Sequence, residues 1–171
     1  MNPPKIVSYP RSGTHYLQNL ITKYSSQKIT FSHFAVTENR FIITIVRDPF
    51  DSIQSLVAMK KHYNPETYAE NDYIDYYVDL YKYLDRNANL VIDYNDLISF
   101  PEETTKMICD LLGFKKTPSA YNVLGDNKDI EYLVSSKTVK EYNEEYFKIE
   151  DMSNCYNEYH KLLFKAERTI S

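Results

Sequence analysis

The stretch Lys5-Ile6-Val7-Ser8-Tyr9-Pro10-Arg11-Ser12-Gly13-Thr14-His15-Tyr16-Leu17 decides the fold. Lys5 to Tyr9 is short, rich in strand-forming residues and stopped by Pro10, so it reads as a strand. From Gly13 onward the apolar positions Tyr16, Leu17, Leu20, Ile21 and Tyr24 recur at helical spacing. A strand therefore passes through a tight polar turn into a helix. The first N–H groups of such a helix have no partner within it, and its dipole favours negative charge there. Gly13 lets the backbone come close to a phosphate, and Ser12 and Thr14 add hydroxyl donors. Arg11 adds a planar cation suited to a phosphate or sulfonate. The same residues also suit a plain capped helix start with a surface arginine. The segment is not a Walker A loop, because G-x-x-x-x-G-K-[ST] and its lysine are absent. That counts against an ordinary ATPase or GTPase.

Working outward, Phe41 to Val46 (FIITIV) is nearly all apolar and β-branched. Such a run suits a central parallel strand covered on both faces. It ends at Arg47-Asp48-Pro49, after which Phe50, Ile53, Leu56 and Val57 continue at helical spacing to about Lys61. Ser55 lies about two helical turns beyond Arg47, so both side chains can reach one phosphate. An aspartate cap with a surface ion pair fits the same residues. Lys28 to Phe31 and Asn89 to Asp93 read as short strands, and Asn71 to Arg86 as a Tyr-rich helix. Pro101 to Leu112 reads as a helix with Gly113 at a left-handed C-cap, and Asp151 to Arg168 as a final helix. Alternating strands and helices predict an α/β fold: a three-layer parallel β-sheet flanked by helices, with ligands beyond the carboxyl ends of the strands. Residues 1–171 are read as one domain, since no repeat, linker or boundary interrupts them.

Composition narrows the function. A net charge of −4 argues against broad nucleic-acid binding without excluding one local basic pocket. Two cysteines, Cys109 and Cys155, lie far apart with no metal-type spacing, so neither a disulfide framework nor a metal site is expected. No apolar run approaches the ~20 residues that span a bilayer, and the first residues lack the apolar core of a signal peptide. A cytoplasmic protein is expected. Seventeen tyrosines and no tryptophan fit half-buried positions that want an apolar body and a polar tip. The Tyr-rich stretch Tyr63 to Tyr83 reads as an amphipathic helix packed on the core, with an acceptor-lining role as the alternative.

Together the loops at Tyr9–Thr14 and Arg47–Ser55 resemble those of the sulfotransferase family, whose members carry Tyr-Pro-Lys/Arg-Ser-Gly-Thr after strand one. The family also ends a later strand in Arg-Asp/Asn-Pro-x-Asp, with a serine eight residues past the arginine, as Arg47 and Ser55 are here. The third match is Val91-Ile92-Asp93-Tyr94-Asn95-Asp96-Leu97 with Pro101 and Leu111-Leu112-Gly113-Phe114, similar to the family's Tyr-Glu-Asp-Leu…Pro…Phe-Leu-Gly stretch. The resemblance covers residues 5–114 and implies a P-loop NTPase-like sulfotransferase fold. It also implies PAPS (3′-phosphoadenosine 5′-phosphosulfate) as co-substrate, PAP as product and no metal.

By this resemblance Arg11 takes the place of the family's loop lysine and stabilises the leaving phosphate. Ser12, Gly13, Thr14 and His15 would bind the 5′ phosphate group, and Tyr16 stands where the family has a Trp against adenine. Arg47 and Ser55 would bind the 3′-phosphate, with Tyr94 near the nucleotide. His33 is the candidate base, at the point where the family has Lys-Thr-His; Phe31 stands in the lysine position here. His15 is its rival, and a hydrogen-bonded loop histidine is the structural alternative for His33. His62 and His160 have no supporting context.

Many relatives end with Arg-Lys-Gly over the 3′-phosphate, and this chain has no such motif. Lys137, in Ser135-Ser136-Lys137-Thr138, offers a substitute cation or is a solvated lysine at a helix start. The expected acceptor is a small molecule or a glycan bearing a hydroxyl or amine, with a homodimer left open. Two other readings stand beside sulfuryl transfer: a PAP- or PAPS-binding protein without activity, and a P-loop-type kinase of small substrates.

Overall fold

Arg40–Val46 (β3) lies at the centre of the sheet because both of its faces can be buried. In the computed structural model, which describes residues 2–63, 70–118 and 148–170, four strands run in the order β2-β1-β3-β4. They are β1 (Asn2–Val7), β2 (Thr30–Ser32), β3 and β4 (Leu90–Asp93), and every neighbouring pair is parallel. Helices α1 (Thr14–Ser25), α2 (Pro49–Tyr63) and α3 (Glu70–Asn87) run between them, and α4 (Tyr94–Ser99) and α5 (Pro101–Leu112) follow β4. A 3₁₀ turn at Ile149–Met152 leads into the last helix, α6 (Ser153–Ile170).

The two-residue period of the strands sorts side chains into two cores. Ile42 and Val46 of β3, Val7 of β1 and Val91 of β4 pack with Ile53, Val57, Tyr77, Leu84 and Leu162 from α2, α3 and α6. Ile43 and Ile45, Ile6, Leu90 and Ile92 pack on the other face with Leu17, Ile21, Leu97 and Ile108 from α1, α4 and α5. These are the three layers that the FIITIV run and the alternating elements predicted.

Several boundaries moved for local reasons. β1 starts at Asn2 and ends at Val7, where Lys5 to Tyr9 was expected. Pro3 and Pro4 have no N–H to give, and the register with β3 is irregular between Asn2 and Lys5. At the other end Ser8 leaves the ladder, and its Oγ accepts the Ile45 N–H at 3.0 Å. β2 falls at Thr30–Ser32 rather than Lys28 to Phe31. α4 was not anticipated as a helix; Asp93 caps it by accepting the Asn95 N–H at 3.0 Å. Gly113 closes α5 in the left-handed region, at φ 69°, as expected.

The strand order matters for function. From β1 the chain moves to one side to make β2 and then to the other to make β3. In such sheets a reversal of this kind marks the usual ligand position, beyond the carboxyl ends of the strands on either side of it, here β1 and β3. The Ser8–Gly13 loop and Arg47–Asp48 both lie there.

The central strand should dominate stability. Ile43→Ala, in a fully buried position of β3, is expected to cost about 2–5 kcal/mol. A drop in urea midpoint at unchanged slope would register it; a loss below about 1 kcal/mol would mean that β3 is not the packed centre.

Candidate functional site

The first loop is wound tightly. Arg11 (φ 70°) and Gly13 (φ 87°) both adopt left-handed backbone, with Ser12 between them. The Ser12 N–H closes the turn onto the Tyr9 carbonyl at 3.3 Å. Holding a non-glycine residue such as Arg11 in this region costs roughly 1–2 kcal/mol. Gly13 is the N-cap of α1 and supplies no side-chain cap. Ser12 is fully buried and Thr14 nearly so, and neither hydroxyl has a partner among the described residues. A buried unsatisfied hydroxyl costs roughly 1–3 kcal/mol. Two of them beside an uncapped helix start offer donors of the kind that an anion can take up.

The second loop is tied to the first through Arg47. Its Nη1 donates to the Arg11 carbonyl at 2.7 Å. The guanidinium also lies over the Tyr94 ring, 4.5 Å from the centroid, and Nη2 stands 3.9 Å from Asp51 Oδ2. The Arg47 side chain is 16% exposed and its Nε has no partner among the described residues, so a cation is held here mostly out of water. Tyr94 in turn lies against Gly13: a Cβ at Gly13 would sit 3.2 Å from Cδ2 and Cε2 of the ring. Ser55, buried on α2, accepts from Arg11 Nε at 2.9 Å. The fold thus gathers Arg11, Ser12, Gly13, Thr14, Arg47, Ser55 and Tyr94 at one edge of the sheet. Ser55 is joined to Arg11, whereas the sequence had set it beside Arg47.

The two candidate bases are neighbours. His33 follows β2 directly, and its Nδ1 lies 2.9 Å from the Ser8 carbonyl. A carbonyl can only accept, so Nδ1 carries the proton and Nε2 is the basic nitrogen. His15, exposed on the first turn of α1, has its ring centroid 6.4 Å from that of His33 and 4.5 Å from that of Phe31. Partial burial, then the neighbouring His33 and Arg11, hold the His15 imidazole below its ordinary pKa. Tyr16 is buried in the α1 core with its hydroxyl partnerless among the described residues; burial, then Tyr94, pushes it up to about 12. Lys137 lies outside the described residues.

Sequence reasoning missed four contributors. Ser8 orients His33 by its carbonyl and β3 by its hydroxyl. Ser52 is fully buried one turn before Ser55, with a hydroxyl partnerless among the described residues. Tyr77 donates to the Arg47 carbonyl at 3.0 Å, and Tyr81 accepts the Arg47 N–H at 3.3 Å. The 3–4 residue spacing of tyrosines on α3 marked a helix face, but no local signal joined that face to Arg47.

No family model matches the chain, and no curated protein sequence does. In structure the chain is similar to mouse sulfotransferase SULT7A1, solved in complex with PAP. The TM-score is 0.58 at 17% sequence identity, over 98% of this chain and 84% of that one. The chain therefore has the sulfotransferase fold, an α/β fold with a parallel sheet.

Gly13 and Gly113 make a matched pair for testing the loop. Both have positive φ, but a Cβ at Gly113 meets nothing within 4 Å, whereas one at Gly13 presses on Tyr94. Gly113→Ala should cost about 1 kcal/mol from backbone strain alone. Gly13→Ala should cost more, because Tyr94 is itself held by Arg47. Urea denaturation of the two variants checks this; equal losses would mean that Tyr94 does not pack against the loop.

Proposed function

We propose that the protein is a PAPS-dependent sulfotransferase, moving a sulfuryl group from PAPS to a hydroxyl or amine acceptor and releasing PAP. The observation that carries this reading is the pair of buried hydroxyls of Ser12 and Thr14 at the start of α1, partnerless among the described residues, flanked by Arg11 and joined through Arg47 to the second loop. One anion cradle would suit many phosphates. Two linked loops, each carrying an arginine, suit a ligand with anions at both ends, as PAPS has. The shared fold with a PAP-bound sulfotransferase supports the same choice.

The chain's residues then divide the work. Ser12, Thr14 and the first N–H groups of α1 would hold the 5′ group, with His15 beside them. Arg47 and Ser55 would take the 3′-phosphate. Ser55 Oγ already accepts from Arg11 Nε, and its own proton remains to be given to an anion. Tyr94 and Tyr16 would border the nucleotide, and Lys137 is the candidate for the cation that other family members supply late in the chain. In the reaction an acceptor oxygen or nitrogen attacks sulfur while the bond from sulfur to the bridging oxygen breaks. Negative charge collects on the departing PAP, where Arg11 and the helix N-terminus stabilise it. The acceptor's proton goes to His33 Nε2. The Ser8 carbonyl, accepting from Nδ1, steadies the imidazolium that forms.

A radiolabelled-PAPS assay over phenol, alcohol, glycan and peptide acceptors tests transfer. His33→Ala is expected to keep PAP affinity within about twofold and lose transfer by roughly 10²–10⁴-fold, the usual share of a general base. Normal turnover in that variant would remove His33 from the role. PAP binding without transfer to any acceptor would favour the binding-protein reading.

His15 reports on the cradle by NMR. Before nucleotide is added it should titrate below the ordinary histidine value of about 6.5. PAP brings negative charge beside it, which favours the imidazolium, so its titration should move upward. No movement on saturation with PAP would place the 5′ group elsewhere.

A further inference from the structure

We infer that Tyr76 and Tyr83 of α3 form a tether that positions His33, so that the Tyr-rich helix serves the reaction through backbone contacts rather than by lining an acceptor cleft. This rests on His33 acting as the base. The Tyr76 hydroxyl donates to the His33 carbonyl. About two helical turns further along the same face, the Tyr83 hydroxyl donates to the Val36 carbonyl at 2.8 Å and accepts the Val36 N–H at 3.3 Å. The segment from His33 to Val36 has no strand ladder to hold it, since β2 ends at Ser32. Its backbone is instead fastened at both ends by phenol hydroxyls from one helix.

The helix is itself well anchored. Tyr76 packs its ring against Tyr9 at 5.2 Å between centroids and against Phe34 at 5.8 Å. Leu80, Tyr81 and Leu84 of α3 are buried in the core beneath the sheet. Tyr9 also donates from its hydroxyl to the Tyr73 carbonyl at 3.2 Å, so α3 grips the anion loop's strand end as well. His33 is therefore held twice: at its ring by the Ser8 carbonyl, and at its backbone by Tyr76. The ring bond fixes the tautomer, and the tether fixes where that ring stands. Phenylalanine at 76 or 83 keeps the ring packing and deletes only the hydroxyl, which separates the tether from the core. Tyr76 and Tyr83 are positioning residues in this account.

The test is a pair of variants, Tyr76→Phe and Tyr76→Phe/Tyr83→Phe, read by long-range ¹H–¹⁵N spectra of the histidine rings and by steady-state kinetics. His33→Ala assigns the His33 signals. The wild type should show His33 as the Nδ1–H tautomer above its titration. In the double variant the signals should move towards a mixture of tautomers. The kcat should fall roughly 10- to 100-fold, the scale of a small misplacement at a reacting centre, with PAPS KM and PAP affinity within about twofold. Tyr76→Phe alone should show the same changes in smaller measure, which keeps the test decisive if the double variant loses its fold. Unchanged His33 signals and unchanged kcat in Tyr76→Phe would overturn the tether. Altered His33 signals with unchanged kcat would uphold the tether and overturn His33 as the base. Failure of the wild type to bind PAP would overturn the sulfotransferase reading, while the spectra would still decide the tether.

Discussion

The site depends on one side chain that joins two loops. Arg47 emerges from the end of the central strand, donates to the Arg11 carbonyl and lies on the Tyr94 ring. Without that bond the Arg11–Gly13 turn would keep its tie to α2 through Arg11 Nε and Ser55 but lose its tie to the end of β3. With it, the left-handed geometry at Arg11 is coupled to β3, the most deeply buried strand, and Gly13 is pinned by Tyr94. Strain of this kind persists only where the surroundings hold it in place, and it gathers at functional sites. Arg47's own backbone is fixed from below by Tyr77 and Tyr81, whose rings stack at 4.0 Å between centroids.

This ordering gives the tyrosine content a physical role. Tyr73, Tyr76, Tyr77, Tyr81 and Tyr83 lie on one helix; four use their hydroxyls, and Tyr73 its carbonyl, on loops that carry site residues or precede them. A phenol can bury its ring in a core and still reach a backbone group at the edge, which neither phenylalanine nor leucine can do. Burial also keeps the hydroxyls of Tyr76, Tyr77 and Tyr81 protonated. Tyr76 is pushed up to about 12, and Tyr77 and Tyr81 also lie above the ordinary tyrosine value, chiefly through loss of water. They therefore remain neutral donors across the pH range in which histidines titrate. The sheet carries the loops at its carboxyl ends, and α3 sets their backbones.

Much of this was legible from the residues. The FIITIV run announced a strand buried on both faces, and Gly113 announced the end of α5. Gly13, Ser12 and Thr14 announced the start of α1. What stayed hidden was long-range. Nothing near Ser8 indicates that its carbonyl meets a histidine just past the next strand, and nothing near Tyr76 indicates that its hydroxyl meets that histidine's backbone. The Ser55–Arg11 bond was invisible for the same reason: spacing along α2 placed Ser55 near Arg47, but only the approach of the two loops shows which arginine it reaches. Local patterns report the period of an element and its ends. They do not report which backbone atoms a phenol or a serine will meet after the layers have packed.

The central claim is that the two linked loops, each carrying an arginine, form a site for a nucleotide carrying anions at both its 5′ and 3′ positions. Titration calorimetry with PAP, with adenosine 5′-phosphate and with ATP tests it most directly. The account predicts that PAP binds at least about tenfold more tightly than adenosine 5′-phosphate, a difference of ~1.4 kcal/mol. It also predicts that Arg47→Ala erases most of that preference and that ATP competes poorly. Equal affinity for PAP and adenosine 5′-phosphate, or a preference for ATP, would contradict it.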